Sequence, residues 1–248
     1  MGLDDDRAPM SPIARWELLL AAARATKGFM PDEEGLALAA LAERATKAGH
    51  GSIVEIGAYC GRSTLYLASG VARAAGGGPP GALVFSLDHH HGSEENQPGW
   101  EHHDPSLVDA RTGRIDTLPH WRRAIGSAGA DDIAVAVVGE SAAVARRWQS
   151  ATGLVFIDGG HGAAPAAADY EGWSPQVAAG GWLAIHDVFE NPADGGRPPY
   201  EIFLRALASG EFTDEPSAGK ESLRVLRRIA GPTKPASPPP GSGAPTNS

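Results

Sequence analysis

The sequence predicts an α/β fold, a doubly wound and mostly parallel seven-stranded sheet that ends in an antiparallel C-terminal hairpin. Three observations predict it. Short apolar runs of strand length alternate with longer helical stretches, the pattern of a parallel sheet covered on both faces. Each of the first five runs ends in Gly, Asp or His. Two further candidate strands then follow the last helix and close the sheet.

Two helical stretches come first, around Pro12 to Thr26 and Asp32 to Ala48. The five buried strands read Ile53 to Ile56, Leu83 to Leu87, Ile133 to Val138, Leu154 to Ile157 and Trp182 to Ile185. Helices lie between them at Ser63 to Ala74, Leu118 to Ala128, Ser141 to Trp148 and Pro165 to Val177. A last helix, Tyr200 to Ser209, starts after Pro198-Pro199, and the hairpin strands fall near Glu211 to Pro216 and Ser222 to Ile229. Residues 92–116 are long, polar and fit no element, which marks a functional lid over the site or a disordered insert, and the lid is the reading adopted. The domain plan is an N-terminal helical segment at 1–31, the α/β domain at 32–230, and a disordered tail at 231–248. That tail is almost wholly Gly, Pro, Ala, Ser and Thr, too little apolar surface to offset ordering entropy.

Composition narrows the function. The net charge of -9 argues against a nucleic-acid partner, because neutralising phosphates needs a basic face. No apolar run approaches the roughly 20 residues that span a bilayer, so no membrane partner is expected. The acidic, turn-rich start lacks the basic and apolar regions of a signal peptide. A single cysteine, Cys60, leaves no intrachain disulfide framework and suits the cytoplasm.

Ligands of open α/β sheets bind beyond the carboxyl ends of the strands. There the first strand runs into Glu55-Ile-Gly57-Ala-Tyr59-Cys-Gly61-Arg-Ser63, whose glycines permit a tight turn and close backbone approach. The following helix offers unpaired N–H groups to a carboxylate. Asp88 ends the second strand, where a carboxylate accepts both hydroxyls of a ribose, or simply caps a loop. Ser141, after the third, either caps the next helix or touches an adenine edge. The fourth strand ends in Asp158-Gly-Gly-His161 and the fifth in His186-Asp187. Two carboxylates and two imidazoles thus converge, the composition of a catalytic or metal site.

The stretch from Glu55 to Ser63 resembles the first motif of catechol O-methyltransferases and their metal-dependent relatives. The stretches Leu154 to His161, Asp169 to Trp173 and Gly180 to Asp187 resemble bacterial small-molecule and sugar O-methyltransferases of the macrocin type. The resemblance, to class I S-adenosylmethionine-dependent methyltransferases, covers roughly Asp32 to Ile229 and implies the Rossmann-like methyltransferase fold. It implies that Gly57, Gly61 and Ser63 lie along the methionine part of S-adenosylmethionine, that Asp88 takes the ribose and that Ser141 lies at the adenine side. Glu55, Tyr59, His89 and Asp158 complete the cofactor-binding set. Asp158 and Asp187 match metal-ligand aspartates, with His186 beside them where the family carries Asp or Asn. Oxygen ligands suit Mg²⁺, and the added histidine admits Mn²⁺. His161 falls where the catechol enzymes place a lysine base, with His186 as its rival.

The activity implied is O-methylation of a small polar acceptor, with a homodimer expected. The polar loop from Asp88 to Asp104, with its single Trp100, suits a sugar, a glycoside or an oligosaccharide of polysaccharide biosynthesis more than a flat catechol. A metal-dependent hydroxylase or lyase using the histidines for iron is the alternative enzyme. A non-catalytic cofactor-binding module is the third reading.

Overall fold

The computed structural model describes residues 12–160 and 162–229. In chain order the elements are α1 (Pro12–Ala25), α2 (Asp32–Ala48), β1 (Ser52–Ile56), α3 (Arg62–Ala75) and β2 (Val84–Asp88). A small hairpin follows, β3 (Val108–Asp109) and β4 (Arg114–Ile115), then α4 (Leu118–Ala128), β5 (Ala134–Val138), α5 (Ser141–Ala145), β6 (Thr152–Ile157) and α6 (Ala163–Trp173). The chain ends with β7 (Val177–Ile185), α7 (Arg197–Ala208), β8 (Phe212–Asp214) and β9 (Arg224–Arg228).

Seven strands form one sheet in the order β5-β2-β1-β6-β7-β9-β8. The five from β5 to β7 run parallel, and β9 pairs antiparallel with both β7 and β8. The expected doubly wound sheet and closing hairpin are therefore present. Strand order reverses between β1 and β6, which opens the ligand crevice above that pair.

Period-two alternation divides each central strand between two cores. Ile53, Leu154, Phe156, Trp182 and Ala184 face α1 to α4. Val54, Ile56, Val155, Ile157, Leu183 and Ile185 face α5 to α7. On the first side, α2 buries Glu34, Leu38, Leu41 and Ala45, a stripe at three- and four-residue spacing that holds one carboxylate. Gly70 lets α3 press against that helix, since a β-carbon there would fall 2.1 Å from the Ala39 carbonyl oxygen.

Three details differ from the sequence reading. The sixth helix stops at Trp173 rather than Val177, because Pro175 cannot continue it, and the next strand begins at Val177. The helix read as Ser141 to Trp148 ends at Ala145. Residues 92–116 are not structureless: they hold two 3-10 turns, Glu94–Asn96 and Pro105–Leu107, and the β3–β4 hairpin. Helix α1 packs into the α/β core, where Leu19, Leu20 and Ala23 join residues of α2 and α3. The expected tail at 231–248 lies outside the described residues. No helix of the described residues is long and apolar enough to cross a membrane.

Candidate active site

A cleft of about 990 Å³ opens above the carboxyl ends of β1, β2, β6 and β7, large enough for a cofactor and a small acceptor together. Its inner wall contains Gly57, Tyr59, Ser63, Asp88, His89, Ser141, Asp158, His186 and Asp187. Backbone strain gathers at this mouth. Of the four non-glycine residues with positive φ among those described, Tyr59 (45°), His90 (62°) and Asp187 (55°) follow β1, β2 and β7.

The turn after β1 is built by close approach. Gly57 has φ 92°, and a β-carbon on it would sit 2.0 Å from the carbonyl oxygen of Asp158. Any side chain would push the ends of β1 and β6 apart. Gly61 precedes α3, so the helix N-terminus and the buried Ser63 face the cleft. Across it, the Asp88 carboxylate accepts the Tyr59 N–H at 2.8 Å and the His90 N–H at 2.7 Å. The first bond ties the ends of β1 and β2 together, and the two fix the carboxylate at the wall. His89 lines the cleft beside it.

Two expectations are corrected. Glu55 does not line the cleft: strand alternation turns it toward α3, where it is fully buried behind the glycine turn. Its carboxylate accepts the Thr64 hydroxyl at 2.6 Å and the Ser86 hydroxyl at 2.5 Å. Burial pushes it up to about 7, against the pull of hydrogen bonds from Ser63, Ser86 and Thr64. Ser141 is not a helix cap, since Glu140 occupies that position and the Ser141 hydroxyl accepts the Trp173 indole N–H at 2.8 Å. The sequence reading gave Asp169 no role of its own. It lies buried on the cleft wall, where burial raises it to about 6 while the Ser141 hydroxyl opposes the rise. The signal was its place in α6, one turn past the cleft-facing Pro165.

At the β6 and β7 ends, Asp158, His186 and Asp187 bring one ligand atom each to within 4.8 Å of one another. His186 is 4% exposed and engaged on both sides. Its Nδ1 lies 2.9 Å from Asp158 and 3.4 Å from Asp187, and its Nε2 lies 2.6 Å from Glu34. Burial works against its charge, but Asp158 and the hydrogen bonds to Asp158, Asp187 and Glu34 prevail and hold it well above the usual histidine range. Both ring nitrogens of His186 are therefore engaged within the protein, Nδ1 toward Asp158 and Nε2 toward Glu34. Glu34 also accepts the Ser222 N–H at 2.7 Å and its hydroxyl at 2.8 Å. His161 lies outside the described residues.

The loop histidines separate by task. The ring nitrogen Nδ1 of His90 pairs with the Thr117 hydroxyl at 2.7 Å, that of His91 with the Ile115 carbonyl at 3.1 Å, and that of His103 with the Asn96 carbonyl at 2.8 Å. These three brace the lid, while His89 and His102 reach the cleft. Among the described residues no loop histidine joins a three-ligand cluster. The outer wall is aromatic. Phe29 (59% exposed) packs on Tyr59 and His102 with centroids 5.4 and 4.9 Å apart, and Trp100 (52% exposed) stands in the lid. An ion pair between Lys27 and Asp104 fastens the lid to the α1–α2 connector.

The sheet order and the crevice glycines define a class I methyltransferase, an S-adenosylmethionine-dependent enzyme. Residues 54–188 match a methyltransferase-domain family, and the chain belongs to it. The whole fold is similar to the O-methyltransferase NovP, at 13% identity and TM-score 0.63, over 88% of this chain and 100% of that one. The calicheamicin methyltransferase CalS11 aligns at 16% identity and TM-score 0.56, over 92% of this chain and 99% of that one. TomG from Streptomyces achromogenes, an O-methyltransferase of tomaymycin synthesis solved with its S-adenosylmethionine, aligns at 15% and 0.55, over 87% and 90%. At these identities the likeness is one of fold.

Proposed function

We propose that the protein transfers a methyl group from S-adenosylmethionine to a hydroxyl of a small polar acceptor, a sugar or glycoside. The observation that carries the reading is the make-up of the cleft. Its lining joins the glycine turn, the helix N-terminus and Asp88 with a polar lid bearing Trp100 and with the carboxylates of Asp158 and Asp187. The named chemistry of CalS11 and TomG, calicheamicin and tomaymycin, is consistent with a small-molecule acceptor.

The cofactor supplies an electrophilic methyl when bound. Ser63 and the first N–H groups of α3 take its carboxylate, Asp88 the ribose hydroxyls, and Ser141 with Asp169 the adenine side. The lid excludes water and aligns the acceptor oxygen, with the Trp100 face against a sugar ring.

The donor set at the mouth fits a divalent ion through oxygen. Asp158 and Asp187 would hold Mg²⁺, whose hard character matches two carboxylates, and the ion would lower the acceptor's pKa. Nδ1 of His186 would join, favouring Mn²⁺, only by giving up Asp158. His161, two glycines beyond Asp158, takes the acceptor proton.

A labelled-methyl screen over sugars, glycosides and phenols, with and without chelator, tests this reading. Transfer to a sugar hydroxyl is expected, lost in chelator and restored by Mg²⁺. On the acceptor found, His161→Ala should lower kcat by roughly 10²–10⁴ and spare cofactor affinity, as for one general base. The wild-type rate should rise with pH through an apparent pKa that the variant lacks. Full activity in chelator would sink the ion, and an unchanged His161→Ala profile would sink the base.

A further inference from the structure

The site has a member that lies outside the matched segment. We propose that Glu34 of α2 is a positioning residue for methyl transfer, gripping His186 from behind so that His186 aims Nδ1 at Asp158 and holds that carboxylate at the mouth. The inference rests on the methyltransferase reading for its rate effects and on geometry alone for the grip.

Strand parity sets up the meeting. Leu154 and Phe156 lead to Asp158 on the α2 side of β6, and Trp182 and Ala184 lead to His186 on the same side of β7. Glu34 stands in the first turn of α2, on the buried stripe that covers this face, and is 1% exposed. Its two oxygens are used separately. Oε2 lies 2.6 Å from Nε2 of His186, and Oε1 accepts both the N–H and the hydroxyl of Ser222, at 2.7 and 2.8 Å. A carboxylate bound at both oxygens cannot swing, so the imidazole it holds cannot flip or rotate. The ring is steadied further by the edge of Phe156, 6.3 Å between centroids. Ser222 lies just before β9 and its N–H is one of the ties, so the same residue pins the loop packed behind the β7 end, where Val188 donates to the Ser222 carbonyl at 3.0 Å. The chain Glu34–His186–Asp158 thus carries the position of a helix, whose Glu34 is 152 residues from His186 in sequence, to the reacting end of β6.

Alanine and glutamine separate position from bulk. Glu34→Ala removes the grip. Glu34→Gln keeps the shape: its amide oxygen can face the Ser222 donors while its NH₂ donates to Nε2, leaving Nδ1–H on Asp158. Three readouts are taken on the full-length protein: proton–nitrogen NMR of the labelled imidazoles, calorimetric titration with S-adenosylhomocysteine, and methyl-transfer kinetics on the screened acceptor. In wild type a hydrogen-bonded downfield proton on an imidazole should be present and vanish in His186→Gln. Glu34→Ala should lose or shift that signal and lower kcat roughly 10- to 100-fold, the scale of a small misplacement of reacting groups, with KM and S-adenosylhomocysteine affinity within about twofold. Glu34→Gln should recover most of the rate. Wild-type kcat in Glu34→Ala would overturn the proposal. So would a parallel fall of cofactor affinity and rate in both variants, the mark of mere structural support. If Glu34→Ala does not fold, the Glu34→Gln kinetics and spectra decide alone, a rate as low as an inert variant's counting against it. If wild type methylates no hydroxyl, the O-methylation reading fails, and the imidazole signal still decides whether the grip exists.

Discussion

The two halves of the cleft are built differently. The half proposed for the cofactor is made of strand ends, where Asp88 is held by the backbone N–H groups of Tyr59 and His90. The half proposed for the acceptor is made of side chains on connectors and lid, with Phe29 and Trp100 more than half exposed. The first half is fixed before any ligand arrives, which suits a ligand common to a whole enzyme class. The second presents adaptable surface, which is where substrate choice is expected to reside.

Three substitutions sharpen that contrast, from the largest expected effect to the smallest. Behind the cofactor half, Glu55 is held up to about 7 by burial. At this position the folded chain therefore binds more protons than the unfolded chain between about pH 4.5 and 7, and the contribution of Glu55 to stability falls as pH rises through that window. Glu55→Gln should remove this share of the pH dependence and gain on the order of 3 kcal/mol over wild type at pH 8. Urea unfolding at pH 5 and pH 8 reads it, and parallel curves for the two proteins would contradict the assignment. Asp88→Ala should cost about 1.5–3 kcal/mol of S-adenosylhomocysteine affinity, the worth of a charge-assisted hydrogen bond. Trp100→Ala should raise the acceptor KM by about 1 kcal/mol of lost stacking and leave kcat nearly unchanged. A fall in kcat with constant KM would place Trp100 in the chemistry instead.

The same contrast explains what the sequence disclosed. Strand ends are legible because apolar runs of fixed length stop at polar residues, so Gly57, Asp88, Asp158 and Asp187 could be placed at one edge from order alone. Glu55 belonged to the same run, and strict alternation past Val54 already turned it away from the other core. Ser141 looked like a cap because the helix start was clear and its partner Trp173, 32 residues on, was not. Composition alone did not separate the histidines from His89 to His103, three of which are spent on carbonyls and a hydroxyl within the loop and its neighbours. Glu34 was out of reach for a different reason: its contacts are made by tertiary packing. Its one sequence mark was a carboxylate on the apolar stripe of an otherwise ordinary amphipathic helix.

The most direct measurement is a side-by-side calorimetric titration of S-adenosylhomocysteine into wild type, Asp88→Ala and Trp100→Ala. The account predicts a saturable one-to-one isotherm in wild type, a Kd raised roughly 10- to 100-fold in Asp88→Ala, and a Kd within about twofold of wild type in Trp100→Ala. Absence of binding in wild type, or equal losses in the two variants, would contradict a preformed cofactor half separate from the acceptor half.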